Sequence, residues 1–193
     1  MAVTISSYNC NSLRSNIYNV HNILENADII CLQELMLCKS DLHILNELND
    51  NFENISYVLD REAEGIVEGR PTKGVAILWN KSLSSFVSPV MIDDSMIGIL
   101  LSNNGCRVLL LNVYLPCDYQ NNDALENYRF MLAKLDAVIK EQNVNNVIVT
   151  GDFNADPTKG RFWQELDSFM KCFSFNVLDE QLPHDTFTYL CPA

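Results

Sequence analysis

The polar residues in this sequence that could do phosphate chemistry stand where apolar runs stop. Asn9 and Asn11 close "SYNCN", and Gln33 and Glu34 follow "IICL". Tyr114 ends "LLLNVY" just before Pro116, and Asp152 and Asn154 end "VIVTGDFN". Thr186 and Thr188 come later, in "DTFTYL". Residues two apart project to the same side of an extended chain, so Asn9 with Asn11, and Asp152 with Asn154, each form a pair. These types suit one reaction. Hydrolysis of a phosphodiester needs a hard cation held by oxygen ligands and a group that positions or deprotonates water, which an aspartate can be. It also needs neutral donors that hold phosphate oxygens without collapsing onto the carboxylates. Taken singly, each residue has a plainer role. Asn9 and Asn11 open a turn or cap a helix, Glu34 is a solvated carboxylate, and Tyr114 is a half-buried aromatic with a wet hydroxyl. Asp156-Pro157 is an ordinary turn signal. The combination carries the reading, not any one member.

The elements that must position these groups follow from periodicity. Residues 3–9 read as a strand, and residues 14–25 as a helix with Ile17, Val20, His21 and Leu24 on one stripe. "DIICLQE" (28–34) is a nearly continuous apolar run, as a buried strand is. A short helix is predicted over 40–48, with strands over 55–60 and 74–80 and a polar loop between those strands. Asn103-Asn104-Gly105 sits between two apolar runs and predicts a tight hairpin. Residues 123–142 give the longest helical pattern, with Leu125, Tyr128, Leu132, Leu135, Val138 and Ile139 on one face. "NVIVTGD" is a strand, "GRFWQELDSFMKCF" a helix and "DTFTYL" (185–190) a last strand. Hairpins mixed with strand–helix–strand units predict an α/β fold, a two-sheet sandwich flanked by helices.

The chain has 193 residues, enough for one domain with a substantial core, and 48% of them are hydrophobic. No repeat or linker divides residues 1–193, which are expected to form a single domain. No apolar run is long enough to span a membrane, and the N-terminus lacks the charged and apolar regions of a signal peptide. A soluble, non-secreted protein with no membrane partner is expected. The seven cysteines are odd in number and form no C-x-x-C pair, which fits buried free thiols in a reducing compartment. The net charge of −12 argues against a strong non-specific nucleic-acid binder.

In order, "SYNCNSLR", "DIICLQE", "KGVAILWN", "LLLNVYLP", "VIVTGDFNADP" and "DTFTYL" resemble the endonuclease/exonuclease/phosphatase superfamily, which is DNase I-like. "VYLPCD", "GDFNADPTKGRFWQEL" and "LPHDTFTYLCPA" are most similar to the apurinic-type endonuclease domain of LINE-type (non-LTR) retrotransposons. The resemblance implies a hydrolase that nicks DNA with Mg2+, or with Mn2+ in its place. DNA and a reverse transcriptase in the same polyprotein are the implied partners, and an intracellular, nuclear site of action is implied with them. It implies that Glu34 is the main metal ligand, with Asn9 at the same metal site, and that Tyr114, Asp152 and Asn154 are catalytic. Asn11 and Thr186 would bind the phosphate. The superfamily pattern continues beyond "TFTYLCPA" to an aspartate–histidine motif, and neither His21, His43 nor His184 fills that place by position. The resemblance therefore predicts a domain incomplete at its C-terminus, with an exposed apolar sheet edge and weak or absent nuclease activity. A phosphatase or phospholipase of the same superfamily is the alternative enzyme reading. A degenerate, non-catalytic fragment is the other.

Overall fold

A computed structural model describes residues 2–58, 73–157 and 160–178. Residues 1–154 form one compact unit and residues 155–193 a second.

The first unit holds two four-stranded sheets. β1 (Ile5–Asn9), β2 (Ile29–Gln33), β3 (Phe52–Tyr57) and β4 (Val75–Asn80) make one, in the order β1-β2-β4-β3. β5 (Val87–Ile92), β6 (Met96–Asn103), β7 (Cys106–Tyr114) and β8 (Asn146–Asp152) make the other, in the order β5-β6-β7-β8. Each sheet contains one parallel pair, β1 with β2 and β7 with β8, and its other pairings are antiparallel. A helix links each parallel pair: α1 (Leu13–Leu24) lies between β1 and β2, and α3 (Asn122–Gln142) between β7 and β8. A parallel neighbour needs such a crossover, because no tight turn returns a chain in the same direction. α2 (His43–Asn46) is a single turn that follows a 3-10 turn at Lys39–Asp41.

Alternation assigns the faces. Ile29 and Cys31 of β2, Val75, Ile77 and Trp79 of β4, Ile97 and Ile99 of β6 and Leu110 of β7 pack in one apolar cluster drawn from both sheets. The opposite faces of β2 and β4, through Ile30, Leu32, Ala76 and Leu78, pack with Leu13, Val20 and Leu24 of α1 and Leu45 of α2. β2 is buried at every position, which is why its sequence is a continuous apolar run and not an alternation. Each large aliphatic side chain withdrawn from water in this way stabilises by about 1.5–3 kcal/mol.

The long helix, the α/β class and the strands follow the sequence reading, except that β3 starts at Phe52 and not at residue 55. The hairpin does too: Asn104 and Gly105 have φ of 47° and 83°, the pair of positive angles that a two-residue turn between twisted strands requires. Three details differ. Ile17 and His21 do not face the core. α1 is kinked at Asn16 (φ −120°), whose amide donates to Cys10 O at 2.8 Å, and Leu13 takes the buried stripe with Val20 and Leu24. β5 has no counterpart in the sequence reading, because it contains Pro89 and its register shifts between Pro89 and Met91. The helix cap after β1 is Ser12, with no side-chain cap hydrogen bond, and not Asn9 or Asn11. The loop predicted over 61–73 and the strand predicted over 185–190 lie largely or wholly outside the described residues. Among the described residues, no helix is long and apolar enough to cross a membrane.

In the second unit, α4 (Arg161–Phe173) follows Gly160 and buries Phe162 and Leu166. Phe173, its last residue, stacks on Phe175 with centroids 5.4 Å apart.

Candidate active site

The carboxyl ends of both parallel pairs carry the polar residues singled out in the sequence. In the first pair Asn9 is level with Gln33, and in the second Tyr114 is level with Asp152. Backbone bonds continue each pairing past the strands. Cys10 N donates to Gln33 O (2.8 Å), Ser12 N to Glu34 O (2.9 Å) and Leu115 N to Asp152 O (2.9 Å).

Asn9 joins the two ends. Its Nδ2 donates to Glu34 Oε1 at 2.9 Å and to Asp152 Oδ2 at 2.8 Å, and its Oδ1 accepts Asn11 N–H at 2.9 Å. Only one orientation of the amide satisfies all three contacts, so Asn9 meets the carboxylates as a donor. Its oxygen is engaged by the turn into Asn11. Asn11 itself is exposed, with φ 41°. Glu34 lies one residue beyond β2 in the left-handed region (φ 51°).

Asp152 is held from two sides. Asn154 N–H donates to its Oδ1 at 3.0 Å, while Asn9 holds Oδ2. Asn154 sits at φ 48°, where asparagine is better tolerated than most residues, and its Nδ2 donates to Leu115 O at 2.7 Å. Tyr128 of α3 donates its hydroxyl to Phe153 O at 2.9 Å. Gly151 (φ 128°) explains the glycine in "GDFN": a Cβ there would lie 2.0 Å from Val113 O. Only a residue without a Cβ lets β8 approach β7 this closely.

The Tyr114 hydroxyl is hydrogen-bonded to Glu34. Burial, then the negative charge of Glu34, holds this phenol well above its ordinary ionisation range, so it stays protonated and remains a neutral donor. Cys117 stands nearby. Burial raises its pKa, as do the charges of Asp152 and Glu34, against hydrogen bonds to Tyr114 and Tyr119 that lower it. The sequence reading passed over Cys117.

Gln33 and Asn112 were also passed over as a pair. Both are buried, and Gln33 Nε2 donates to Asn112 Oδ1 at 2.6 Å, across the two sheets. An asparagine inside the apolar run "LLLNVY" was the available signal, because an amide in a fully buried strand must find partners. Thr186, read as a phosphate ligand, lies outside the described residues, as does His184.

Among the described residues, no group of three or more His, Cys, Asp and Glu side chains is arranged to hold a metal. Two carboxylates 2.8–2.9 Å from a shared amide nitrogen are nevertheless a hard-oxygen donor set. That set fits Mg2+, which keeps several of its waters and takes one or two carboxylates plus substrate phosphate.

Residues 6–188 match the model of the Endonuclease/Exonuclease/phosphatase family. No curated protein matches the chain. Among solved structures, the endonuclease domain of TRAS1, a telomere-specific non-LTR retrotransposon, is similar over 91% of this chain and 74% of its own, with a TM-score of 0.64 and 11% identity. The 3′ phosphatase NExo from Neisseria, bound to product DNA hairpin, is similar over 88% of this chain and 71% of its own (TM-score 0.60, 17% identity). The AP endonuclease LMAP from Leishmania major is similar over 88% and 66% (TM-score 0.61, 14% identity). At these identities the likeness is one of fold, and the chain spans between 66% and 74% of the length of these three.

Proposed function

This chain belongs to the endonuclease/exonuclease/phosphatase family, a family of Mg2+-dependent nucleases and phosphatases, and on that premise we propose that it hydrolyses phosphodiester bonds in DNA as a nicking endonuclease. The observation that carries the reading is the Asn9 bridge between Glu34 and Asp152 at the ends of two different sheets.

On this reading Glu34 would hold Mg2+, with Asp152 facing the same space, and the cation would supply positive charge against the phosphoryl group. Asp152, fixed by Asn9 and Asn154, orients a water in line with the phosphorus and accepts its proton. The water oxygen forms a bond to phosphorus as the bond to the 3′ oxygen breaks, and that oxygen takes a proton from solvent water and leaves as a hydroxyl. Tyr114 exchanges its hydrogen bond to Glu34 for one to a phosphate oxygen, a role open to it because it remains protonated. Asn11 and Thr186 are assigned to the phosphate, and residues 1–193 to one catalytic domain. The segments "VYLPCD" and "GDFNADPTKGRFWQEL" favour the non-LTR retrotransposon type, with a reverse transcriptase as its partner activity in the nucleus.

The net charge of −12 favours a second reading, a phosphatase or phospholipase with a compact substrate. One assay separates the two. Supercoiled plasmid with Mg2+ should be nicked by the protein and left intact by Glu34→Ala. Glu34-dependent release of phosphate from soluble inositol phosphates, without nicking, would replace the first reading by the second.

A further inference from the structure

The antiparallel pairing of β2 with β4 is regular up to Leu32, which lies opposite Ala76. It resumes with Leu35 N to Gly74 O (3.0 Å) and Met36 N to Lys73 O (3.0 Å). One extra residue has entered on the β2 side between these points, which is a β-bulge. Gln33 and Glu34 occupy it, and Glu34 takes φ 51° there. The carbonyls of the bulge itself are taken by the chain after β1, Gln33 O by Cys10 N and Glu34 O by Ser12 N, and the regular ladder ends at the pair Leu32–Ala76.

Asn112 braces that last pair from the other sheet. Its Nδ2 donates to Leu32 O and to Ala76 O, both at 2.9 Å, the carbonyls at the point where the ladder breaks. Its Oδ1 accepts Gln33 Nε2 at 2.6 Å, and the same Nε2 is within hydrogen-bond distance of Ser7 Oγ (3.1 Å) and Cys31 O (3.2 Å). Asn112 is 0% exposed and Gln33 1%. Leaving any of these groups unpaired costs about 1–3 kcal/mol, so the arrangement is locked. Asn112 shares its face of β7 with Tyr114, two residues on, and Gln33 is bonded directly to Glu34.

We propose that Asn112 is a positioning residue for the metal-binding carboxylate. From one sheet it stabilises the bulge in the other that turns Glu34 toward Asn9, Tyr114 and Asp152. Gln33 is its anchor. This rests on the phosphodiesterase reading for its kinetic consequence, although not for its geometric one.

The test compares Asn112→Ser with Leu110→Ala, a control that cuts into the dry core of the same strand face two residues from Asn112. Both should lower the melting temperature. Only Asn112→Ser should raise the Mg2+ concentration giving half-maximal hydrolysis, by about 10- to 100-fold, the usual effect of losing a group that orients a metal ligand. Excess Mg2+ should restore part of the rate. Crystals of Asn112→Ser should show Glu34 out of the left-handed region and its contact with Asn9 broken. Gln33→Met, which keeps the length of the side chain, should move both readouts the same way by less, and it serves if Asn112→Ser does not fold. An unchanged Glu34 in the variant crystals, with a Mg2+ midpoint equal to that of Leu110→Ala, would overturn the proposal. Wild-type protein without metal-dependent hydrolysis would sink the phosphodiesterase reading instead, and the position of Glu34 in the crystals would still decide this one.

Discussion

In β1–α1–β2 and in β7–α3–β8, a helix sets two strands side by side, and in both the polar residues stand at the carboxyl ends. The means differ. Asp152 is the last residue of β8 and still paired with Tyr114 in a regular ladder, brought close by a glycine. Glu34 lies beyond β2, on a bulge next to the Leu32 and Ala76 carbonyls that Asn112 of the opposite sheet bonds. β7–α3–β8 places its carboxylate by regular geometry, whereas β1–α1–β2 needs support from across the core. The two carboxylates should therefore respond differently to the same kind of change.

The sharpest contrast is chemical. Glu34→Gln and Asp152→Asn should each cost on the order of 10³-fold in hydrolysis, about 4 kcal/mol of barrier. The Glu34 change should also raise the Mg2+ requirement, while the Asp152 change should lower kcat with the midpoint nearly fixed. Equal shifts in both would mean the two groups share one role. Next comes Gly151→Ala. The added methyl meets Val113 O, so β8 must leave β7, and the urea midpoint should fall by on the order of 3 kcal/mol of stability. A near-neutral result would show that the ladder is not what fixes Asp152.

The third contrast is in alkali. Burial, then the charge of Glu34, pushes the Cys10 thiol up from 9.0 to about 12. The unfolded chain then ionises first, so stability is full below pH 9 and falls between pH 9 and 12. In β7–α3–β8, burial raises the Tyr128 phenol from 10.0, and its loss begins only above pH 10. Denaturant midpoints should decline from pH 9, and Cys10→Ala should soften the first part of that decline, leaving the share of Cys31, raised from the same 9.0. The smallest effect is Tyr128→Phe, which removes the bond to Phe153 O and should cost about 1 kcal/mol by thermal unfolding.

The contrast also explains what could be read in the sequence. "GDFN" is legible because ladder, glycine and turn are local: the apolar run gives β8, and the two-residue spacing gives the pair Asp152 and Asn154. β2 was legible as a buried run, and Asn104-Gly105 as a turn, for the same reason. The bulge was not legible. Its cause lies 79 residues from Gln33, in a side chain of the other sheet, and no periodicity in "DIICLQE" reports it. The stripe of α1 was misread because Asn16 bonds the Cys10 carbonyl and kinks the helix. β5 escaped because proline and an irregular register erase strand alternation.

Left-handed backbone crowds this end of the sandwich. Asn11, Ser12, Glu34, Met36 and Asn154 all have positive φ, and three of them are neither glycine nor asparagine. Such residues cost on the order of 1 kcal/mol or more each. Natural selection for thermal endurance alone would remove them. Glu34→Gly should therefore melt higher than the wild type while losing the metal ligand, and a stability screen blind to function would enrich that inactive substitution.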